Sequence, residues 1–144
     1  MLYCLFYGTR AEKGSEVFRA CQVEALKEQS RTRATVKVKH KQAATGQGEI
    51  FQSLDEMGPD EQLVDLGLEH EAATRTILEL TPAQPDAILY YQLWQQVLAR
   101  NIVRKVDVNK IAAKLRTEGR LLIPDWEKGK HVPEGRYRLQ RPKK

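Results

Sequence analysis

Residues 107–119 are the stretch of this chain with the least conformational choice. Asp107 stands where an N-cap belongs, and Gly119 stands at the C′ position, where a left-handed residue closes a helix. Between them Val108, Ile111, Ala112 and Leu115 recur at i, i+3, i+4 and i+7, the spacing of one apolar stripe. The other side is Asn109, Lys110, Lys114, Arg116 and Thr117. A helix divided this way must lay its stripe on other elements and leave its cations in water.

The flanking sequence supplies those elements. A helix is predicted over 69–80, with Ala72, Ala73, Thr76, Ile77 and Leu80 inward, ending at Thr81-Pro82. A second starts at Asp86, an N-cap after Pro85, and runs to about Arg100. It carries Ile88, Leu89, Tyr91, Leu93, Trp94, Val97 and Leu98, more apolar surface than one face needs, and so reads as the central helix. The link Asn101–Val106 is long enough to hold a short strand or helical turn, and does not read as a standard tight turn.

After Gly119, Leu121-Leu122-Ile123 and Arg136-Tyr137-Arg138-Leu139 read as strands around a loop bearing Lys128, Gly129 and Lys130. Alternation puts Tyr137 and Leu139 on the helices and Arg136 and Arg138 in solvent. Three helices and then a basic ribbon is the order of a winged helix-turn-helix domain, so residues 60–144 are expected to be one, and the whole chain to be α+β. Trp126, at the base of the ribbon, either seals it against the helices or stacks on a sugar or base.

Charge is distributed unevenly along the 144 residues. The net value of +5 divides into +4 over residues 1–54, −8 over 55–86, zero over 87–99 and +9 over 100–144. In a winged helix the third helix enters a groove and the ribbon touches the backbone. Cations supply sequence-independent affinity by releasing counterions, while amides and hydroxyls read base edges. The expectation is a nucleic-acid-binding module, with duplex DNA as its partner. Arg104, Lys105, Lys110, Lys114, Lys128, Lys130 and Arg136 are the candidate phosphate contacts, and Asn109 and Thr117 the candidate base readers. Docking onto a partner protein is the alternative, since a lysine-rich helix face is often only solvated and winged helices also pair proteins.

The first third of the chain differs in kind. Leu2 to Tyr7 is apolar on both faces and reads as a buried strand, followed by a helix from Ser15, its N-cap, to Gln29-Ser30, with Val17, Phe18, Cys21 and Ala25 inward. Residues 1–30 thus form a strand and helix with no neighbouring strand to pair with. Residues 31–59, with Lys37, Lys39 and Lys41 alternating before Thr45-Gly46-Gln47-Gly48, read as a basic, flexible linker.

Nothing in the sequence composes a catalytic site or a metal centre. His40, His70 and His131 share no ligand or triad spacing, and Thr45-Gly46-Gln47-Gly48 lacks the Lys-Ser/Thr of a phosphate loop. The chain is expected to be no enzyme and to need no cofactor. Cys4 and Cys21 read as reduced thiols, and the absence of a leader or a long apolar span predicts a cytoplasmic location with no membrane partner.

Two stretches also resemble a known family. Leu2-Tyr3-Cys4-Leu5-Phe6-Tyr7-Gly8-Thr9-Arg10, Lys13-Gly14, Val17-Phe18-Arg19 and Thr45-Gly46-Gln47-Gly48-Glu49-Ile50-Phe51 resemble the last strand, last helix and tail of three-Cys-motif partner proteins (TcmP). Val106-Asp107-Val108-Asn109-Lys110, Leu115 to Leu121 and the Trp126 ribbon resemble the winged helix that closes them. The resemblance implies that residues 1–30 are the remnant of a Rossmann-like, methyltransferase-like domain. It also implies a targeting part of a larger system, with a protein partner that carries a three-cysteine motif.

Overall fold

The computed structural model describes residues 11–45 and 64–143. Among these the chain is α+β. In order come α1 (Glu12–Thr45), α2 (Leu66–Leu80), β1 (Ile88–Leu89), α3 (Tyr90–Arg100), α4 (Lys105–Thr117) and β2 (Arg138–Leu139). The strand expected over residues 2–7, the Gly46-Gln47-Gly48 turn and residues 49–59 of the expected linker lie outside the described residues.

Helix α1 corrects the reading of the first third. It does not stop at Ser30 but runs on through the first half of the expected linker to Thr45. From Ser15 to Thr45 there is no Gly or Pro, and Ala, Lys, Arg and Gln are strong helix formers. The alternation of Val36 and Val38 with lysines imitates a strand, but a helix satisfies its backbone internally where a strand needs a neighbour. Ion pairs Lys27–Glu24 and Arg31–Glu28, three residues apart, add a little to it. Ser15 lies inside the first turn, so it is not the cap. The expected stripe is also rotated: Val17, Cys21 and Ala25 are exposed, whereas Val23 and Ala34 are buried. Those two are eleven residues apart, three full turns, and so share one face.

In α2 the Asp65 carboxylate accepts the N–H groups of Gly67 and Leu68 at 2.8 and 3.2 Å, starting the helix three residues before the expected position. Ala73, Thr76 and Ile77 are buried as the spacing predicts, and the helix ends before Thr81-Pro82. Asp86 is not the cap of the next helix. Its N–H closes a turn onto Ala83, and Ile88–Leu89 pair antiparallel with Arg138–Leu139, Ile88 opposite Leu139. The first N–H groups of α3 go to the carbonyls of Tyr137 and Gly135, from Tyr90 at 2.8 Å and from Tyr91 at 3.0 Å. The C-terminal segment thus replaces a local cap, and this is why α3 begins at Tyr90.

Helix α3 is central, burying Tyr90, Leu93, Trp94, Val97 and Leu98 against Ala73 and Ile77 of α2 and Val108, Ala112 and Leu115 of α4. Val103, Leu121, Ile123, Tyr137 and Leu139 close the same core. Each such side chain contributes about 1.5–3 kcal/mol when fully buried. The expected ribbon is reduced to one bridge, in which Leu122 and Gln140 exchange hydrogen bonds of 2.8 and 2.9 Å. The ladder of β2 runs to β1 instead. Tyr137 and Leu139 still face inward while Arg136 and Arg138 are exposed, as alternation requires.

Candidate nucleic-acid interface

The link between α3 and α4 is only residues 101–104, shorter than its sequence reads, and of the length that joins the two helices of a helix-turn-helix. Helix α2 holds it from below. Buried Asn101 donates through Nδ2 to Thr76 Oγ1 at 3.2 Å and to Val97 O at 3.0 Å. The Ile102 N–H donates to the Glu69 carboxylate at 2.6 Å. These bonds set the angle at which α4 leaves the core.

Asp107 is not the cap of α4, which lies three residues earlier. Arg104 is the N-cap and Asp107 lies three residues in, reaching back to accept the Arg104 N–H at 3.1 Å. Burial pushes the Asp107 carboxyl up, but the side-chain and backbone hydrogen bonds from Arg104 outweigh that and hold it below the usual carboxylate range. At the other end Gly119 has φ +69°, with Arg120 N–H to Leu115 O at 2.9 Å and Gly119 N–H to Arg116 O at 3.0 Å. This is a complete Schellman closure.

The apolar stripe is as expected: Val108, Ala112 and Leu115 are buried and Ile111 is partly so. The opposite side exposes Val106, Lys110, Lys114, Arg116 and Thr117. Lys110 makes no ion pair among the described residues, and Lys114 lies a loose 3.9 Å from Glu118. Between α2 and α4 an open cleft of about 320 Å³ is lined by His70, Glu71 and Thr74 on one side and Lys110, Lys114 and Arg120 on the other. Arg120 lies past the end of α4, outside the stripe and spacing that single out Lys110 and Lys114 in the sequence.

The remaining candidates are placed less openly. The Arg104 guanidinium binds Asp107 at 2.9 Å and Glu24 of α1 at 3.2 Å. Lys105 Nζ binds Glu16 of α1 at 3.0 Å and lies 4.6 Å from the Trp94 ring centroid. These two cations face α1 and not the side that carries Lys110 and Lys114. Asn109 is half-buried, its Oδ1 accepting from the Tyr90 hydroxyl at 2.6 Å, which leaves its Nδ2 donors. The Thr117 hydroxyl donates to Ala113 O at 3.0 Å.

In the loop after α4, Lys130 pairs with Glu134 at 2.8 Å, and Arg136 pairs with Glu127 and, at 3.2 Å, with Glu134. Lys128 is exposed with no ion pair among the described residues. Arg138 forks onto Asp125 at 2.9 and 3.0 Å, and these hydrogen bonds pull the Asp125 carboxyl down to about 2. Around Trp126, Arg116 lies 4.4 Å over its ring, the tilted Tyr137 ring lies 6.1 Å away, and its indole N–H donates to Lys130 O. Of its two sequence readings, the seal between loop and helix is the one the geometry matches.

Comparison with family models, curated proteins and solved structures finds no match for this chain. Among the described residues no three metal-ligating side chains come together, and no helix is long and apolar enough to cross a membrane. His131 is exposed, and His70 stands 3.8 Å from Asp107.

Proposed function

We propose that residues 64–143 are a winged helix-turn-helix module that binds duplex DNA through the exposed side of α4 and acts by binding, not by catalysis. The observation that carries this reading is the division of α4: a buried stripe on one side and Lys110, Lys114, Arg116 and Thr117 exposed on the other, on a helix joined to α3 by residues 101–104. The order helix, strand, helix, helix, bridging residue, strand supports it, being the connectivity of winged helices. Lys110, Lys114 and Lys128 neutralise phosphates, and Asn109 Nδ2 and Thr117 approach base edges. Arg104, Lys105, Lys130 and Arg136 join only by giving up their carboxylate partners. The resemblance to three-Cys-motif partner proteins makes the module the targeting part of a larger methyltransferase-like system.

Titration of the full chain with labelled duplex DNA at two salt concentrations tests the reading. Affinity should fall steeply as salt rises, and Lys110→Glu with Lys114→Glu should weaken binding and flatten the log–log salt slope by about 2. Undetectable binding at low salt, or binding indifferent to salt, would refute it.

A second reading is docking onto a partner protein, such as one with a three-cysteine motif. It is favoured by the carboxylates that already engage Arg104, Lys105, Lys130 and Arg136. Pull-down of that partner that survives both high salt and the double lysine change would select it over DNA.

A further inference from the structure

Helix α1 changes character near its middle. All four of its carboxylates, Glu12, Glu16, Glu24 and Glu28, lie in the first half. From Gln29 to Thr45 there are five cations, Arg31, Arg33, Lys37, Lys39 and Lys41, and no acid. The acidic half docks on α3 and α4, with Glu16 on Lys105, Glu24 on Arg104 and Arg19 on the carbonyls of Leu98 and Ala99, while in the basic half Ala34 is the buried residue among those described. In the basic half Arg31, Arg33, Lys37 and Lys39 are all exposed, and the carboxylate nearest Arg31 is Glu28 at 3.8 Å.

The spacing of these cations selects their partner. In a helix each residue turns about 100°, so residues two apart point to nearly opposite sides. Arg31 and Arg33 are therefore opposed, as are Lys37 and Lys39, and the exposed cations fall into two groups on opposite flanks. A flat acidic protein surface faces a helix from one side. A nucleic-acid groove encloses it, with a wall of phosphates on each flank, and a major groove about 12 Å wide admits one helix.

We propose that the second half of α1 is a basic helical arm that lies in or along a duplex groove, its two cationic flanks meeting phosphates of the two strands. This extends the DNA reading of α4 and rests on it. Glu24 and Glu16 engage Arg104 and Lys105 at the joint, and beyond it the arm carries Arg31, Arg33 and Lys39 on its exposed surface. From Arg31 to Lys39 the arm advances about 12 Å along the helix axis at about 1.5 Å per residue. Over that length a duplex presents about one phosphate charge per 1.7 Å, enough to match every cation of the arm.

The test uses the full chain and a labelled duplex of about 25 base pairs, read by fluorescence anisotropy over a salt series. Arg33→Glu with Lys39→Glu removes one cation from each flank. Affinity should fall at least tenfold at low salt, and the log–log salt slope should flatten by about 2. Arg33→Gln with Lys39→Gln, which keeps good helix formers, should give a smaller loss in the same direction, and circular dichroism checks that helix content is retained. If the wild-type chain binds no duplex, the reading of α4 fails and the arm fails with it. If Lys110→Glu with Lys114→Glu weakens binding while both arm variants bind with wild-type affinity and slope, the arm alone is overturned. Unchanged duplex binding with lost binding to polyglutamate would overturn it in favour of an acidic protein partner.

Discussion

Asp107 holds both the main chain and the side chain of Arg104: its Oδ2 accepts the Arg104 backbone N–H at 3.1 Å and the guanidinium Nε at 2.9 Å, and its Oδ1 accepts from Nη2 at 3.1 Å. One carboxylate therefore fixes both the main chain and the side chain of the residue that opens α4. The same guanidinium passes on to Glu24 of α1, so the start of the candidate recognition helix and the docking of the long helix share a hinge point.

Asp107→Asn should cost about 1–3 kcal/mol near neutral pH in urea unfolding, because Asp107 is buried and its loss leaves Arg104 poorly paired. The folded-state pKa of Asp107 lies below its unfolded value, so its stabilisation is present above the unfolded value of about 3.9 and is lost as pH falls through the folded one. The gap between wild type and variant should therefore shrink towards about pH 2. A gap that stays constant from neutral pH to acid would contradict this assignment.

Gly119→Ala should cost about 1–2 kcal/mol, since φ is +69° there and a Cβ meets nothing within 4 Å. The penalty is then conformational and not steric. Gly119→Asn should cost less, asparagine being tolerant of the left-handed region. Equal midpoints for wild type and the alanine variant in thermal unfolding would show that the closure of α4 contributes nothing.

Tyr90→Phe removes the hydrogen bond to Asn109 Oδ1 and should destabilise by about 0.5–1.5 kcal/mol. Burial pushes the Tyr90 phenol far above its ordinary value. A raised folded pKa means that the wild-type advantage is full below about pH 10 and falls as alkali ionises the unfolded chain. Urea unfolding of both proteins at neutral and alkaline pH measures it. An advantage that grows with alkali would have the wrong sign and would discard the account.

Arg19→Ala should loosen α1 from the body. Its guanidinium donates to Leu98 O at 2.6 Å and Ala99 O at 3.3 Å, where the last carbonyls of α3 otherwise lack partners. Hydrogen exchange should quicken several-fold at residues 16–24 and stay unchanged in α2, with a global cost of about 1–2 kcal/mol. Unaltered exchange in α1 would mean that other contacts hold the helix.

Within α4 the apolar stripe and the glycine closure were legible, because both are written within one helix length, but the cap was not: Asp107 lies three residues inside and Arg104 caps the helix. Ala73, Thr76 and Ile77 were legible in α2 for the same reason. The second half of α1 was misread as a linker because it is basic and offers few large apolar side chains, and a helix of strong helix formers needs no apolar stripe of its own to satisfy its backbone. Asp86 was misread as a cap because it has the right chemistry in the wrong place.

Local chemistry in the chain thus settles where α4 stops, which side of it is apolar and where its lysines stand. The origin of α3 at Tyr90 depends on carbonyls of Gly135 and Tyr137 more than forty residues on. The state of Arg104 and Lys105 depends on Glu24 and Glu16, 80 and 89 residues before them. Caps and periodicity act over a few residues and can be read from neighbours. Strand pairing and ion pairing act through space, and a charge in the sequence carries no mark of the residue that will neutralise it once the chain is folded.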